Sequence, residues 1–282
     1  MKTILVPYDF SEEAENAFDF AKELAALTQG HLKLLHVIEI PTGQNFNTTG
    51  EVGLGGDEMQ QVFMVELVEK RKEQVAAIAA KMKDIPYKFS TKITFGNPYA
   101  GISNEIAEIK ADLIVMGSKG TSGLEELLIG SNTEKVVRHA ECPVITIKSK
   151  INPSSVKNIL FASDFGDENK KTFNQLKKLQ ETLQAELHLV KINTPNSFEN
   201  SKDSKAKIKE FITKNHLENV TFEIYNSDSE EDGIIQYSEE NNIDMIAMAT
   251  HGRTGFMHLL SGSIAEDVVN HAKRPVWTMK MK

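Results

Sequence analysis

A chain of 282 residues with 40% hydrophobic residues is long enough for one large domain or two small ones and carries the apolar material for a true core. A net charge of −8 argues against binding along a nucleic-acid backbone, which needs a basic face, yet it leaves room for a small anion held by local backbone donors. The single cysteine, Cys142, excludes an intramolecular disulfide and fits a reducing compartment, and no stretch reaches the roughly 18–20 apolar residues of a membrane span.

The opening MKTILVPYDF turns acidic at Asp9 and is too short for a secretory signal, so the expected location is the cytoplasm. TILVPYD reads as a strand. A helix follows, with Ser11 as N-cap, acids in its first turn and Gly30 as the C′ residue. HLKLLHVIE is a second strand. Residues 41–64, rich in Gly, Thr and Asn without a period, read as a long surface loop, and a long amphipathic helix begins around Asp57. YKFSTKITFG, DLIVMG and PVITIK are strands, with PYAGISNEIAEIKA and SNTEKVVRHAE as helices between them. Alternation of this kind predicts a parallel sheet with right-handed crossovers and ligand binding at the carboxyl ends of the strands.

The chain then repeats. GSNTEKVVRHAECPVITIK (130–148) and GSIAEDVVNHAKRPVWTMK (262–280) agree at eleven of nineteen positions, 132 residues apart. KTILVPYDFSEEAENAFDFAKELA recurs as KNILFASDFGDENKKTFNQLKKLQ, with Asp9 matched by Asp164, 155 residues later. The first half therefore holds 23 extra residues, and 41–64 has no counterpart. The polar stretch KSKINPSSVKN sets the boundary near residue 150, giving units 1–150 and 151–282. Each unit predicts a five-stranded parallel sheet with helices on both faces. The terminal strands PVITIK and PVWTMK would be exposed edges unless the halves cover each other, which places Trp277 in that internal interface.

After the fourth strand comes MGSKGTSGLEELLIGSN. Gly117 and Gly120 follow the strand directly, and Gly130 and Ser131 open a helix. Glycines there permit positive φ and close approach of amides, and the helix start adds unpaired N–H groups and the positive end of a dipole. Ser131 adds a hydroxyl. Together they form an anion cradle suited to a polyphosphate.

The spacing G-x2-G-x9-G-[S/T] after an apolar strand, with an Asp after the first strand and with LLHVIE, GNPYAGI, ADLIVMGSKG and HAECPVITIK, resembles the universal stress protein family over nearly the whole chain, twice. The resemblance implies two tandem Rossmann-like α/β domains of the adenine nucleotide alpha hydrolase type. It implies a ligand, ATP or another adenine nucleotide, with Mg²⁺ carried by the phosphates, and a role in stress response or signalling exerted through unidentified protein partners. By position, Asp9 meets the nucleoside and Val37 the adenine. Met116 and Gly117 line the ribose and phosphate approach, and Gly120, Gly130 and Ser131 hold phosphates, with Pro7, Lys119 and Asn132 beside them. Asp164, Gly252, Arg253, Gly262 and Ser263 make a second candidate site. That site departs from the pattern: Ala249 replaces the first motif glycine, where it would resist positive φ and crowd a phosphate, and NSDSEEDG adds acids.

Other readings are blander. His139 and His271 recur on the last helix as packing or surface residues, His36 and His188 belong to strands, and His251 and His258 lack metal partners. Cys142 is a small filler, and NSDSEEDG a solvated loop. The chain lacks G-x-x-x-x-G-K-[S/T], G-x-G-x-x-G after the first strand and G-x-S-x-G. Binding without designed turnover is the economical expectation. A weak ATPase or phosphotransferase and a nucleotide-free adaptor with vestigial loops are the alternatives. Pairing of the halves as an internal pseudo-dimer is expected, and a homodimer of whole chains is compatible with it.

Overall fold

The computed structural model describes residues 1–39, 58–120, 129–166, 170–251 and 263–281. The first half runs β1 (Thr3–Pro7), α1 (Glu12–Thr28), β2 (His31–Ile38), α2 (Glu58–Lys81), β3 (Lys88–Phe95), α3 (Pro98–Ile109), β4 (Leu113–Gly117), α4 (Ser131–His139) and β5 (Val144–Ile147). A short 3-10 turn, Pro153–Ser155, leads into the second: β6 (Asn158–Ala162), α5 (Lys170–Leu183), β7 (Glu186–Asn193), α6 (Ser201–Asn215), β8 (Val220–Asn226), α7 (Glu230–Glu240), β9 (Met245–His251), α8 (Ser263–His271) and β10 (Val276–Met281). The strands form one sheet in the order β3-β2-β1-β4-β5-β10-β9-β6-β7-β8. Within each half every pairing is parallel.

The strand order follows from burial on both faces. Ile4 and Val6 of β1 enter one core with Leu113 and Val115 of β4, while Leu5, Ile114 and Met116 enter the opposite core under α3 and α4. That period of two, with apolar residues on both faces, is what a parallel strand between helices requires. The first core continues across the chain: α1 side chains such as Phe18 and Leu24 belong to the same cluster as Phe161, Phe173 and Phe211 of the second half. The chain builds β1, β2 and β3 in one direction, then returns to β4 on the other side of β1. The reversal opens a crevice between the carboxyl ends of β1 and β4.

The halves join where the sequence leaves bare edges. β5 and β10 are antiparallel, with Val276 opposite Thr146, Trp277 opposite Ile145 and Thr278 opposite Val144. Trp277 is 0% exposed in this seam. A second repeated device closes the base of each half. Asp112 Oδ2 accepts the amides of Lys2 and Thr3, and Asp244 Oδ2 accepts those of Lys157 and Asn158. Each carboxylate thereby ties the first strand of its half to the start of the fourth.

Several local expectations are corrected. The helix expected from about Asp57 begins at Glu58, so residues 58–64 of the expected loop belong to α2, where Met64 and Val68 pack with Ile38 and Phe95; residues 41–57 lie outside the described residues. Gln29, not Gly30, takes the left-handed conformation after α1 (φ 50°), as Gln184 does after α5 (φ 52°). Gly30 is needed for space, since a Cβ there would lie 3.0 Å from the Met1 carbonyl oxygen. The acidic run 226–233 is not a loop throughout. Glu230, Glu231 and Asp232 form the first turn of α7, where they oppose its dipole behind the N-cap Ser229.

Replacement of Trp277 by Ala removes the largest buried side chain of the seam and is expected to cost about 3–5 kcal/mol. The measurement is the urea midpoint followed by circular dichroism; an unchanged midpoint contradicts a close-packed seam.

Candidate functional site

The crevice between β1 and β4 holds a cavity of about 310 Å³ lined by Pro7, Asp9, Val37, Met116, Gly117, Lys119, Gly120, Gly130, Ser131 and Asn132, together with residues from α2 and α3. Every first-half residue singled out from the sequence is therefore on one wall or another. The second-half set is mostly beyond view: Gly252, Arg253 and Gly262 lie outside the described residues, as does the side chain of Ser263, the first residue of α8. Asp164 is exposed and accepts the amide of Gly166 at 3.1 Å.

Asp9 is fixed by its neighbours. Ser11 donates both its amide (3.0 Å) and its hydroxyl (2.6 Å) to Asp9 Oδ1, while Ser11 Oγ accepts the Ala14 amide and caps α1. Phe10 makes this turn possible by adopting φ 68°, and Phe165 repeats it with φ 55°. The other carboxylate oxygen of Asp9 lies against the glycine loop: a Cβ on Gly120 would sit 2.6 Å from Oδ2. A side chain at position 120 would displace that oxygen.

Close approach also holds for Gly117, and the motif glycines do not take the expected positive φ. Among the described glycines only Gly96 has it, at 111°. Gly117 is the last residue of β4, and a Cβ there would come within 2.9 Å of the Glu13 backbone, so Gly117 lets α1 pack on the strand end. Ala249, at the matching place, lies within the regular strand β9, so resistance to positive φ is not what sets the second half apart. A Cβ on Gly130 would occupy open cradle space, 3.6 Å from the Gly120 nitrogen and 3.7 Å from Lys119 Cα.

Helix α4 starts at this point without a cap. Its N-cap is Gly130, which makes no side-chain hydrogen bond to the first turn. Among the described residues α1, α3, α6 and α7 are capped by Ser11, Asn97, Asn200 and Ser229. The Gly130 amide donates to Ser118 O (2.8 Å), and Thr133 Oγ donates to Gly117 O (3.0 Å), which locks the first turn of α4 against the end of β4. Ser131, Asn132 and Thr133 of that first turn, whose amides have no partner within a helix, line the cavity with Lys119.

The opposite wall was not legible in the sequence. His36 is buried, and its Nδ1–H donates to the Tyr8 carbonyl at 2.7 Å. Burial, reinforced by the Arg71 charge, holds its pKa below the usual imidazole range, so the ring is neutral. Arg71 reaches over the Phe10 ring, 4.6 Å from its centroid, and lines the cavity with Leu67 of the same helix. The helical stripe Met64, Leu67, Val68, Arg71, Val75 was a signal for a buried face, but not for which residues of it meet the cavity. In the second half Lys191 stands where His36 does, and its ammonium pairs with Glu199 at 2.7 Å. Lys191 and then Lys207 push the Glu199 carboxyl down to about 2.

The remaining titratable groups read as structure. His271 pairs with Glu231, and His188 lies within hydrogen-bond distance of Asn158 and Thr221. His139 packs beside Tyr99. His258 lies outside the described residues, and of His251 only the backbone, in β9, is described. Among the described residues no three His, Cys, Asp or Glu side chains cluster as metal ligands, and no helix is long and apolar enough to cross a membrane.

A doubly wound α/β sheet repeated in the two halves of one chain, with a glycine-lined crevice at the switch point of the first, defines the class. The sequence model of the universal stress protein family matches residues 1–148 and again 155–280, and the chain belongs to that family. It is 34% identical over 155 residues to the universal stress protein MJ0577 of Methanocaldococcus jannaschii, an alignment covering 53% of this chain and 96% of the relative. A Staphylococcus aureus relative bearing the same family name is 33% identical over 154 residues, covering 54% of this chain and 87% of its own. The crystal structure of a universal stress protein from Archaeoglobus fulgidus superposes with a TM-score of 0.75 at 22% identity, covering 99% of this chain and 98% of that one, which shows the same fold.

Cys142 is buried and its thiol is pushed up to about 12 by that burial. It is expected to resist a thiol-specific disulfide reagent at pH 8 in the native protein and to react once in full on denaturation. Fast native labelling would contradict its role as packing.

Proposed function

We propose that the first half binds ATP or another adenine nucleotide and that the protein acts in stress response or signalling by changing its interactions with the ligand state. The observation that carries this reading is the uncapped first turn of α4, opening on a cavity with Lys119 beside it. A helix start without a cap leaves about 1 kcal/mol of stabilisation unused, a cost that an anionic ligand offsets. The amides of Ser131 to Thr133 and the Ser131 hydroxyl would take phosphate oxygens. Asp9, already oriented by Ser11, would accept from sugar hydroxyls or an exocyclic amine. Val37, Leu67 and Ile102 give the other end an apolar lining suited to a base. Such a ligand brings Mg²⁺ with its phosphates.

Binding without rapid turnover is the function these residues favour. Asp9, which lies against Gly120, has one carboxylate oxygen bound by Ser11, and His36 donates its Nδ1–H to the Tyr8 carbonyl. Both are held in place by these bonds as walls of the cavity. The location proposed is the cytoplasm.

Calorimetric titration of the full chain with ATP tests the reading. Saturable binding is expected, and Gly130→Ala, whose methyl fills cradle space without meeting protein atoms closely, is expected to weaken it about tenfold, or 1.4 kcal/mol, with little change in Tm. No heat with any adenine nucleotide overturns it.

A proton should accompany the ligand. Burial, and then the charge of Lys119, pushes the Lys148 ammonium down to about 8. Phosphate charge beside Lys119 favours the protonated ammonium, so binding at pH 8 takes up as much as about half a proton. The observed heat then varies with the ionisation enthalpy of the buffer, and Lys148→Met abolishes that variation. An equal dependence in both proteins contradicts the placement of phosphate charge near Lys119.

A further inference from the structure

The loop residue that delivers the cradle is held by the other half of the chain. Ile129 immediately precedes Gly130. Its amide donates to Asn270 Oδ1 at 2.7 Å, across 141 residues of sequence. Its side chain packs against the core of the second half, the cluster that includes Val268 and Val269 of α8. Asn270 is itself held, because the Lys148 ammonium donates to its backbone carbonyl. Beside this contact Arg138 of α4 grips Glu266 of α8 through two hydrogen bonds of 2.7 Å each.

The arrangement has a direction. By the repeat offset, Ser261 matches Ile129 and Arg138 matches Asn270. A serine offers no apolar side chain to bury, and Arg138 is spent on Glu266. The residue types that anchor the first half's loop in the second half therefore have no counterpart at the matching sequence positions.

We propose that Asn270 is a positioning residue for the first half's anion cradle, so that the second half sets how strongly the first holds the phosphates of its ligand. The argument is geometric. Gly130 and the first turn of α4 carry the amides that meet an anion, and their placement depends on where the chain enters at Ile129. Two anchors fix that entry, a hydrogen bond to Asn270 and an apolar side chain in the second-half core. Without the Asn270 acceptor the entry loses its polar anchor, and the cradle amides lose alignment that an anionic oxygen needs within a few tenths of an ångström. The base and sugar end of the cavity, formed by Asp9, Val37 and α2, makes no use of this contact. Because coupling free energies are reciprocal, phosphate bound at the cradle also tightens Ile129 onto α8 and makes the second half a reporter of the first half's ligand state.

This inference rests on the nucleotide reading, and its test separates the two. In the full chain, Asn270→Ala is expected to weaken ATP binding about tenfold while adenosine binding stays within twofold, with ADP in between. Ile129→Ser, which gives the first half the second half's residue, is expected to act in the same sense. Glu266→Gln, which breaks the α4–α8 ion pair but leaves the loop contact, is expected to leave the ATP-to-adenosine ratio unchanged. A merely structural role for Asn270 would lower both ligands equally or neither, and either result overturns the proposal while leaving the nucleotide site intact. If the unaltered chain binds no nucleotide, the site reading falls, and the anchor is still decided by hydrogen exchange. Asn270→Ala is expected to speed exchange at the Ile129 amide at least tenfold, and an unchanged rate there overturns the anchor as well.

Discussion

A helix that begins in open space beside a glycine loop, with no side chain to accept its first amides, is the constraint around which the first half is arranged. The chain caps α1, α3, α6 and α7 with Ser or Asn and so has the means to close this one. A Ser or Asp at position 130 would satisfy the turn and fill the space between Lys119 and Gly120. Gly130 instead leaves the donors facing a cavity. The neighbouring choices depend on that one. Gly120 clears a path for the Asp9 carboxylate, Gly117 lets α1 settle on the strand end, and Thr133 ties the exposed turn to β4.

The sheet supplies the rigidity that an unsatisfied helix end needs. β1 and β4 are central strands, buried on both faces, and their carboxyl ends diverge to opposite crossovers. Joining β5 to β10 removes two edges at once and makes a core that runs beneath both halves on one face. On the other face the cores stay separate, and there α4 and α8 meet through Arg138, Glu266, Ile129 and Asn270. The second half is in this way a structural partner of the first half's site.

Much of this was legible in the sequence because it is encoded locally. Apolar runs separated by amphipathic stretches gave strands and helices, the 132-residue repeat gave two units, and the glycine spacing pointed to residues that line one cavity. The reason assigned to the glycines was only half right, since conformational freedom and lack of volume leave the same letter in a sequence; the backbone shows that volume decides at Gly117 and Gly120. Gly30 misled in the same way, with Gln29 accepting the left-handed turn. The α2 wall was hidden for a different reason. A long helix announces a buried stripe, but which turn of it reaches the crevice depends on how the helix lies across β2 and β3. Contacts such as Ile129 to Asn270 have no local signature, and only the mismatch of Ile129 with Ser261 in the repeat hinted that the two loops differ.

The central claim is that the first amides of α4 await a negatively charged oxygen. The direct measurement follows the backbone amide resonances of Ser131, Asn132 and Thr133 in the labelled full chain as ATP is added. The account predicts saturable downfield shifts at these amides, larger with ATP than with adenosine. Shifts confined to other parts of the chain, or resonances at these positions that stay in place at saturating ATP, would contradict it.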